Sequence, residues 1–499
     1  MSLINVQNLT FAYEGSYDNI FTDVSFQIDT DWKLGFCGRN GRGKTTFLKL
    51  LMGMHEYSGS ISASVYFEYF PFTVADTSPD TIEILTSIAQ DAGLWEIQRE
   101  LSKLAVGEDV LYRPFSTLSN GEQTKVLLAG LFLRENSFLL IDEPTNHLDM
   151  AAREIVSRYL NSKTGFILVS HDRTFLDGCS DHILSINRAN IEIQRGNFSS
   201  WYHNKQLQDG YELAENDRLR KDIKRLEAAA RQSTTWADKV ESTKMGKGAA
   251  AARKKGHEGL DTMAYNAEKS RRMQQRRKNL ERRQQTAIDE KSGLLKNIET
   301  ADSLKLSQEQ YHTSRLVTLE DISIFYDDKV ACRGISFVIE RGDRIALNGI
   351  NGSGKSSLVK LINGEDIKYT GGFNKGTRLK ISYVSQDTSF LSGDLSDYAA
   401  GNGIDESLFK AILRKLDFSR IQFEKDMRDF SGGQKKKVLI ARSLCEKPHL
   451  LLWDEPLNFI DVISRIQIET LLLEYAPTIL FVEHDRAFCD AIATKTVDL

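Results

Sequence analysis

Five landmarks occur twice in this chain, in the same order and with a separation of 311 to 313 residues. In the first copy they are Tyr13, Gly43-Lys44-Thr45, Ser119, Asp142-Glu143 and His171, and in the second Tyr326, Gly354-Lys355-Ser356, Ser431, Asp454-Glu455 and His484. Five ordered matches in register indicate a duplicated domain. Whatever one copy folds into, the other should fold into as well.

Composition excludes several classes of protein. A chain of 499 residues with 41% hydrophobic and 27% charged residues has the balance of a globular protein with two or three domains. It contains no apolar run of 18 residues and begins without a signal-peptide pattern, so we expect a cytoplasmic protein. Its 5 cysteines form no C-x-x-C pair, which predicts buried, reduced thiols.

The charge is unevenly distributed. Residues 216–300 carry 22 Lys and Arg against 12 Asp and Glu, although the net charge of the whole chain is −4. The segment between the two copies is therefore basic, and the flanks are acidic.

Each copy contains a phosphate-binding loop of the form G-x-x-x-x-G-K-[ST]. The glycines let backbone N–H groups point at a phosphate, and the following helix presents its positive end to the same anion. A strand before and an amphipathic helix after each loop supply the required context and predict an α/β fold. The residues predicted to bind nucleotide here are Gly38, Asn40, Gly41, Gly43, Lys44, Thr45 and Thr46, and Gly349, Asn351, Gly352, Gly354, Lys355, Ser356 and Ser357.

Each copy also has an apolar strand that ends in Asp-Glu. With Thr45 and Ser356, Asp142 and Asp454 are predicted to serve a Mg²⁺ ion, while Glu143 and Glu455 polarise the attacking water. Two carboxylates at a strand end could instead cap a helix, but their duplication beside a phosphate loop favours catalysis.

Tyr13 and Tyr326 precede their loops by somewhat over twenty residues. An isolated tyrosine would usually be assigned to core packing. Because both copies have one at the same place, we predict that the two rings stack on adenine.

The segments Leu118–Gln123 and Phe430–Lys435 resemble the signature segment of ATP-binding cassette (ABC) domains. The resemblance implies two composite sites, in which Ser119 and Gly121, or Ser431 and Gly433, grip the ATP held by the opposite domain. It also implies that His171 and His484 touch the γ-phosphate and that the D-loops, 146–149 and 458–461, meet across the interface. We call the site with Lys44 site one and the site with Lys355 site two.

Three positions depart from the ABC pattern. The first copy has no glutamine near 69–72, where a Q-loop is expected, whereas Gln386 occupies that place in the second copy as a predicted ATP and Mg²⁺ ligand. Asn120 replaces a usual glycine, and Leu457 stands where the first copy has Thr145. Both glutamates are present, so we expect ATP hydrolysis at both sites, with Mg²⁺ and the γ-phosphate sensed differently at site one.

The basic insert lacks proline and shows helical spacing. Leu219, Ile223, Leu226 and Ala230 suggest one arm, and Met273, Leu280, Ala287 and Leu294 another. Breaks at 245–248 and 255–259 predict an antiparallel coiled-coil hairpin with arms of about 40 residues, or about 60 Å. Such a hairpin is usually a solvated spacer, but the density of Lys and Arg favours contact with structured RNA. The predicted contact residues at its tip are Lys244, Met245, Lys247, Arg253, Lys254, Lys255 and His257.

Two cassettes joined by a basic hairpin resemble the ABC-F ATPases, and among them the antibiotic-resistance group of Lsa and Vga type. This resemblance implies a monomer with an intramolecular domain dimer: cassette 1–198, linker 199–310 and cassette 311–499. It implies ATP and Mg²⁺ as cofactors and the 70S ribosome as partner, with 23S rRNA and P-site tRNA contacted from the tRNA exit site; no DNA partner is expected. The implied function is protection against lincosamides, pleuromutilins and streptogramin A. A housekeeping translation factor and an exporter ATPase subunit remain alternatives.

Overall fold

The computed structural model describes residues 2–14, 19–146, 148–186, 191–251, 282, 308–309, 311–326 and 329–499; side chains at 226–227, 229–251 and 329 are not described. The chain divides into two compact units, Met1–Trp201 with Ser303–Leu499, and Tyr202–Asp302. Both copies of the repeat lie in the first unit, and we call them the first and second halves.

The first half is a mixed α/β domain. Its elements are β1 (Leu3–Phe11), β2 (Phe21–Asp29), β3 (Lys33–Cys37), α1 (Lys44–Leu51), β4 (Ser58–Ser62), β5 (Tyr66–Phe70), α2 (Thr81–Ile88), α3 (Leu94–Lys103), α4 (Asn120–Phe132), β6 (Ser137–Asp142), α5 (Met150–Asn161), β7 (Phe166–Val169), α6 (Arg173–Cys179), β8 (His182–Ile186) and β9 (Ile191–Arg195). One sheet has the order β5-β6-β7-β3-β8-β9, parallel except at β9, and the other is antiparallel with the order β2-β1-β4.

The second half repeats this topology. Its elements are β10 (Arg315–Tyr326), β11 (Lys329–Glu340), β12 (Arg344–Asn348), α8 (Lys355–Asn363), β13 (Lys368–Lys375), β14 (Ile381–Val384), α9 (Leu395–Gly401), α10 (Glu406–Lys415), α11 (Gly432–Cys445), β15 (Leu450–Asp454), α12 (Val462–Tyr475), β16 (Ile479–Val482), α13 (Arg486–Ile492) and β17 (Lys495–Asp498). The parallel sheet has the order β14-β15-β16-β12-β17, and the antiparallel sheet the order β11-β10-β13. The predicted duplicated α/β fold is confirmed.

The parallel strands hold the loops in place because they are buried on both faces. Leu139, Leu140 and Ile141 of β6 are almost fully buried, as are Leu450, Leu451 and Leu452 of β15. Ligand-binding loops of such sheets lie at the carboxyl ends of the strands. The phosphate loops follow β3 and β12, the Asp-Glu pairs end β6 and β15, and the histidines follow β7 and β16. The topology therefore gathers all three motifs at one edge of each sheet.

A long helix, α7, spans Phe198–Ala251 and contains 54 residues, which corresponds to about 80 Å. The predicted break at 245–248 is wrong, since the helix continues through Gly246 and Gly248. Each glycine costs a helix only about 1 kcal/mol relative to alanine, and four alanines follow Gly248 in the sequence. The predicted break at 255–259 lies outside the described residues, as does the predicted second arm apart from residue 282.

Among the helices of the described segments, none combines the length and the apolar character needed to cross a bilayer. All five cysteines are free and buried, as predicted.

Candidate functional site

Each phosphate loop curls around the lysine that follows it. Gly41 and Gly43 have φ of 79° and 91°, and Gly352 and Gly354 have 85° and 91°. Only glycine adopts this conformation without strain. Lys44 Nζ donates to the Gly38 carbonyl at 2.7 Å, and Lys355 Nζ donates to the Gly349 carbonyl at 2.8 Å. Each ammonium is thereby held inside its loop, where a phosphate would be bound.

The hydroxyl residue after each lysine is bonded to the first acid of the Asp-Glu pair. Thr45 Oγ1 donates to Asp142 Oδ2 at 2.9 Å, and Ser356 Oγ donates to Asp454 Oδ1 at 3.1 Å. Burial raises the pKa of both aspartates, against the opposing effect of nearby hydroxyl and lysine side chains. A hydroxyl and one carboxylate, completed by phosphate and water, suit Mg²⁺, so these residues fit that ion.

The second acid of each pair faces the predicted histidine. His171 Nε2 lies 3.2 Å from Glu143 Oε1, and His484 Nε2 lies 3.7 Å from Glu455 Oε1. Both glutamates have positive φ, 52° and 46°, directly after a strand. Such backbone strain in a non-glycine residue is typical of functional sites.

The two glutamates differ in their surroundings. Burial and the neighbouring Asp142 raise the pKa of Glu143 to about 8, against the opposing effect of Lys44. Burial acts in the same direction on Glu455, but His484 and hydrogen bonds from Asn458 and Gln386 outweigh it and lower the pKa of Glu455. The pKa values of the two glutamates thus shift in opposite directions, and the bond from Gln386 to Glu455 has no glutamine to form it near 69–72 in the first half.

We expect this difference to appear in the pH dependence of kcat/KM, which reports the free enzyme. A general base acts only when deprotonated. With site one alone active (Glu455→Gln), kcat/KM for ATP should rise as the pH increases through about 8 and be about tenfold below its plateau at pH 7. With site two alone active (Glu143→Gln), it should stay level over the neutral range. Phosphate release at several ATP concentrations measures both, and superimposable profiles would contradict the difference.

In the first half, aromatic side chains lie where the Q-loop glutamine is missing. Phe70 pairs with Ile141 as Val384 pairs with Trp453, which places Phe72 at the position of Gln386. In site one the Tyr69 hydroxyl donates to Asp142 Oδ2 at 3.0 Å. A tyrosine hydroxyl thus contacts the acid that is predicted to bind Mg²⁺ in site one. In site two, Gln386 bonds Glu455, the predicted catalytic glutamate, and lines a cavity of about 630 Å³ with Ser356 and Asp454.

Each predicted signature serine begins a helix. Ser119 and Ser431 are the N-caps of α4 and α11, and their Oγ atoms accept from the backbone N–H of Glu122 and Gln434 at 3.3 Å. Asn120 takes the first helical position in α4, where a side chain is tolerated. Exposed N–H groups at such a helix start form an anion site.

Residues of site one from opposite halves come together. The Asn40 side-chain amide donates to the Phe459 carbonyl of the second-half D-loop at 2.7 Å. A Cβ atom on Gly433 would lie 2.3 Å from that same oxygen and 3.2 Å from Asn40 Nδ2. The glycine therefore lets the start of α11 and the D-loop of the second half approach each other closely, at the point where Asn40 of the first half bonds that D-loop. Of the first-half D-loop, His147 lies outside the described residues.

Tyr13 and Tyr326 are the predicted adenine-stacking residues. Their side chains are 44% and 47% exposed, so a base can reach either ring. The Tyr13 hydroxyl also bonds the Thr46 hydroxyl at 2.9 Å, which ties it to the phosphate-loop helix. Ser357 follows Ser356 in α8, as Thr46 follows Thr45 in α1.

Four arginines at the interface were not predicted. Arg153 Nη1 donates to Asp172 and to the His484 carbonyl, both at 3.0 Å, and Arg465 Nη1 donates to Asp485 at 3.1 Å. Arg39 and Arg173 make ion pairs with Asp417 and Glu469 of the second half. Arg153 and Arg465 occupy equivalent positions in the two copies, so the repeat could have indicated these two arginines from the sequence. The repeat could not have indicated Arg39 and Arg173, because their partners are charged in only one copy.

Only some of the residues that are predicted to contact the ribosome are described by the structure. Lys244, Met245 and Lys247 lie within α7, without described side chains. Arg253, Lys254, Lys255 and His257 lie outside the described residues.

Comparison with known proteins gives consistent matches. The family model described as ABC transporter matches residues 21–146 and 332–458, just over half of the chain. The ATP-binding protein Uup of Buchnera aphidicola subsp. Acyrthosiphon pisum is 27% identical, over 99% of this chain and 80% of its own. The ribosome protection protein VmlR of Bacillus subtilis (strain 168) is 25% identical, over 96% of this chain and 84% of its own. The archaeal ribosome recycling factor aABCE1, solved with the ribosomal stalk protein aP1, has the same fold, with 18% identity and a TM-score of 0.63 over 98% of this chain and 87% of its own.

Proposed function

The chain belongs to the ABC transporter family of ATP-binding domains, with relatives of the ABC-F type, and on that premise we propose that it is a ribosome-associated ATPase that protects the ribosome from antibiotics. ABC domains are ATPases, and this chain carries two. The observation that carries the proposal is the combination of two cassettes in one chain, in contact with each other, with a basic insert that contains a 54-residue helix.

The proposed hydrolysis uses the same parts at each site. Lys44 and Lys355 neutralise the β- and γ-phosphates, and Glu143 and Glu455 accept a proton from the attacking water. Orientation of the γ-phosphate comes from His171 and His484 and from the signature residues Ser431 and Gly433, or Ser119 and Gly121. A Mg²⁺ ion held by Thr45 and Asp142, or by Ser356 and Asp454 with Gln386, would supply charge neutralisation on the phosphate oxygens.

The proposed action is on the ribosome. ATP binding closes the two halves, and the closed protein occupies the tRNA exit site of the 70S ribosome. The tip of the insert then reaches towards the peptidyl-transferase centre and shifts the P-site tRNA or 23S rRNA so that a bound lincosamide, pleuromutilin or streptogramin A leaves. The relative VmlR, named a ribosome protection protein and aligned along nearly the full chain, supports this proposal. The density of Lys and Arg in the insert supports an RNA partner.

We expect replacement of residues 244–255 by a short Gly-Ser turn to return drug tolerance to that of cells without the protein. ATP hydrolysis and co-sedimentation with ribosomes should persist, because the cassettes remain intact. A matched control, Lys244→Arg with Lys247→Arg, Lys254→Arg and Lys255→Arg, preserves charge and length and should retain tolerance. The measurements are the inhibitory drug concentration, phosphate release and sedimentation.

The results separate the alternatives. Full tolerance after the replacement would reduce the tip to a spacer and overturn its role in protection. Unchanged tolerance when the intact protein is expressed, together with altered translation, would identify a housekeeping translation factor. Lower drug accumulation in intact cells would identify an exporter subunit.

A further inference from the structure

Two ion pairs join the halves on the side of site one. Arg39 Nη1 of the first phosphate loop lies 2.6 Å from Asp417 Oδ1, and the two side chains are 22% and 17% exposed. Arg173, two residues after His171, pairs with Glu469 of α12, and both side chains are 16% exposed. Both pairs are thus largely shielded from solvent. An ion pair in such a shielded place is screened less by salt than one on an open surface.

The equivalent positions around site two have different residues. Ile350 stands in place of Arg39 and is 69% exposed, and Ala105 stands in place of Asp417. The backbone at both 105 and 417 has positive φ, 53° and 68°, an uncommon conformation that the two halves share at this point. The first ion pair therefore has an uncharged counterpart at site two.

The second ion pair is also replaced. Arg486 is the equivalent of Arg173, but Ser157 stands in place of Glu469. Arg486 lies 3.8 Å from Asp490 of its own helix, and its side chain is 65% exposed. A cavity of about 520 Å³ lies here, lined by Ser157 and Arg486 together with Arg153 and His484. The position that a glutamate fills beside site one is thus taken beside site two by a serine that borders a cavity.

We propose that Arg39–Asp417 and Arg173–Glu469 form a latch that keeps site one closed, so that site two opens first and exchanges its nucleotide faster. Each pair gains its energy only when the halves are in contact, because its members come from opposite halves. A shielded pair contributing about 1 kcal/mol slows opening about fivefold, and two independent pairs multiply. The inference rests on the proposed composite sites but not on the ribosome.

The test measures nucleotide release from one site at a time. In the Glu143→Gln, Glu455→Gln background, Lys355→Ala confines binding to site one and Lys44→Ala to site two. The probe is N-methylanthraniloyl-ATP with Mg²⁺, chased with unlabelled ATP. We expect slower release from site one, and Arg39→Ile should accelerate that release about fivefold.

Two matched variants distinguish the loss of the ion pair from a general loss of structure. Exchanging the two charges, Arg39→Asp with Asp417→Arg, should restore slow release from site one. Installing the missing pair, Ala105→Asp with Ile350→Arg, should slow release from site two. An Arg39→Ile variant with unchanged release from site one, or with equal acceleration at both sites, would overturn the latch. Because no ribosome is present, failure here leaves the proposed ribosomal function untouched, and failure of ribosome binding leaves the latch untouched.

Discussion

The Glu143→Gln, Glu455→Gln double variant is expected to hydrolyse ATP about 100- to 10,000-fold more slowly than the unaltered protein. Glutamine has nearly the same shape as glutamate but cannot accept the proton of the attacking water. The lysine-loop and Thr45–Asp142 contacts do not involve the substituted side chains, so ATP binding should persist. Phosphate release at saturating ATP measures the rate, and binding of a fluorescent ATP analogue measures the retained affinity.

The same variant also reports on the ribosome. If hydrolysis releases the protein, the double variant should remain with ribosomes in sedimentation with ATP, while the unaltered protein dissociates. A matched control is Glu340→Gln with Glu474→Gln, whose side chains are 45% and 56% exposed and lie outside both sites. That control should hydrolyse ATP at the normal rate. Normal turnover in the Glu143→Gln, Glu455→Gln variant would rule out these two residues as general bases.

Gly433→Ala is expected to lower ATP hydrolysis at site one about 5- to 150-fold, the effect of overpacking by about 1 to 3 kcal/mol. The added methyl would lie 2.3 Å from the Phe459 carbonyl oxygen, and a backbone atom cannot move aside cheaply. The same carbonyl oxygen accepts a hydrogen bond from Asn40 of the first half. That bond would have to break for the two halves to separate. Hydrolysis measured with Glu455→Gln present isolates site one.

The neighbouring glycine provides the control. A methyl on Gly432 would lie 3.4 Å from the Phe459 ring, which is an ordinary contact. Gly432→Ala should therefore have little effect on hydrolysis. Alanine is the better helix former at both positions, so helix propensity cannot explain a loss. Equal losses in the two variants would show that closeness to Phe459 is not the reason for Gly433.

The local motifs were predictable from the sequence because each depends on neighbouring residues. The curl of 38–45 needs only its own glycines and the strand and helix beside it, and the same holds for the acids that end β6 and β15. The duplication raised each weak signal above chance. The helix break at 245–248 was predicted wrongly because glycine weakens a helix without necessarily ending it.

The contacts between the halves could not be predicted in the same way. The hydrogen bond from Asn40 to Phe459 joins residues 419 positions apart, and Arg39 meets Asp417 only once both domains have folded and closed. Side-chain surroundings likewise decided that the pKa of Glu143 rises while that of Glu455 falls. By itself the sequence predicted two nucleotide sites and the residues expected to build each. The tertiary structure decided how the sites differ, because burial and charge pairing depend on which surfaces the two domains bring into contact.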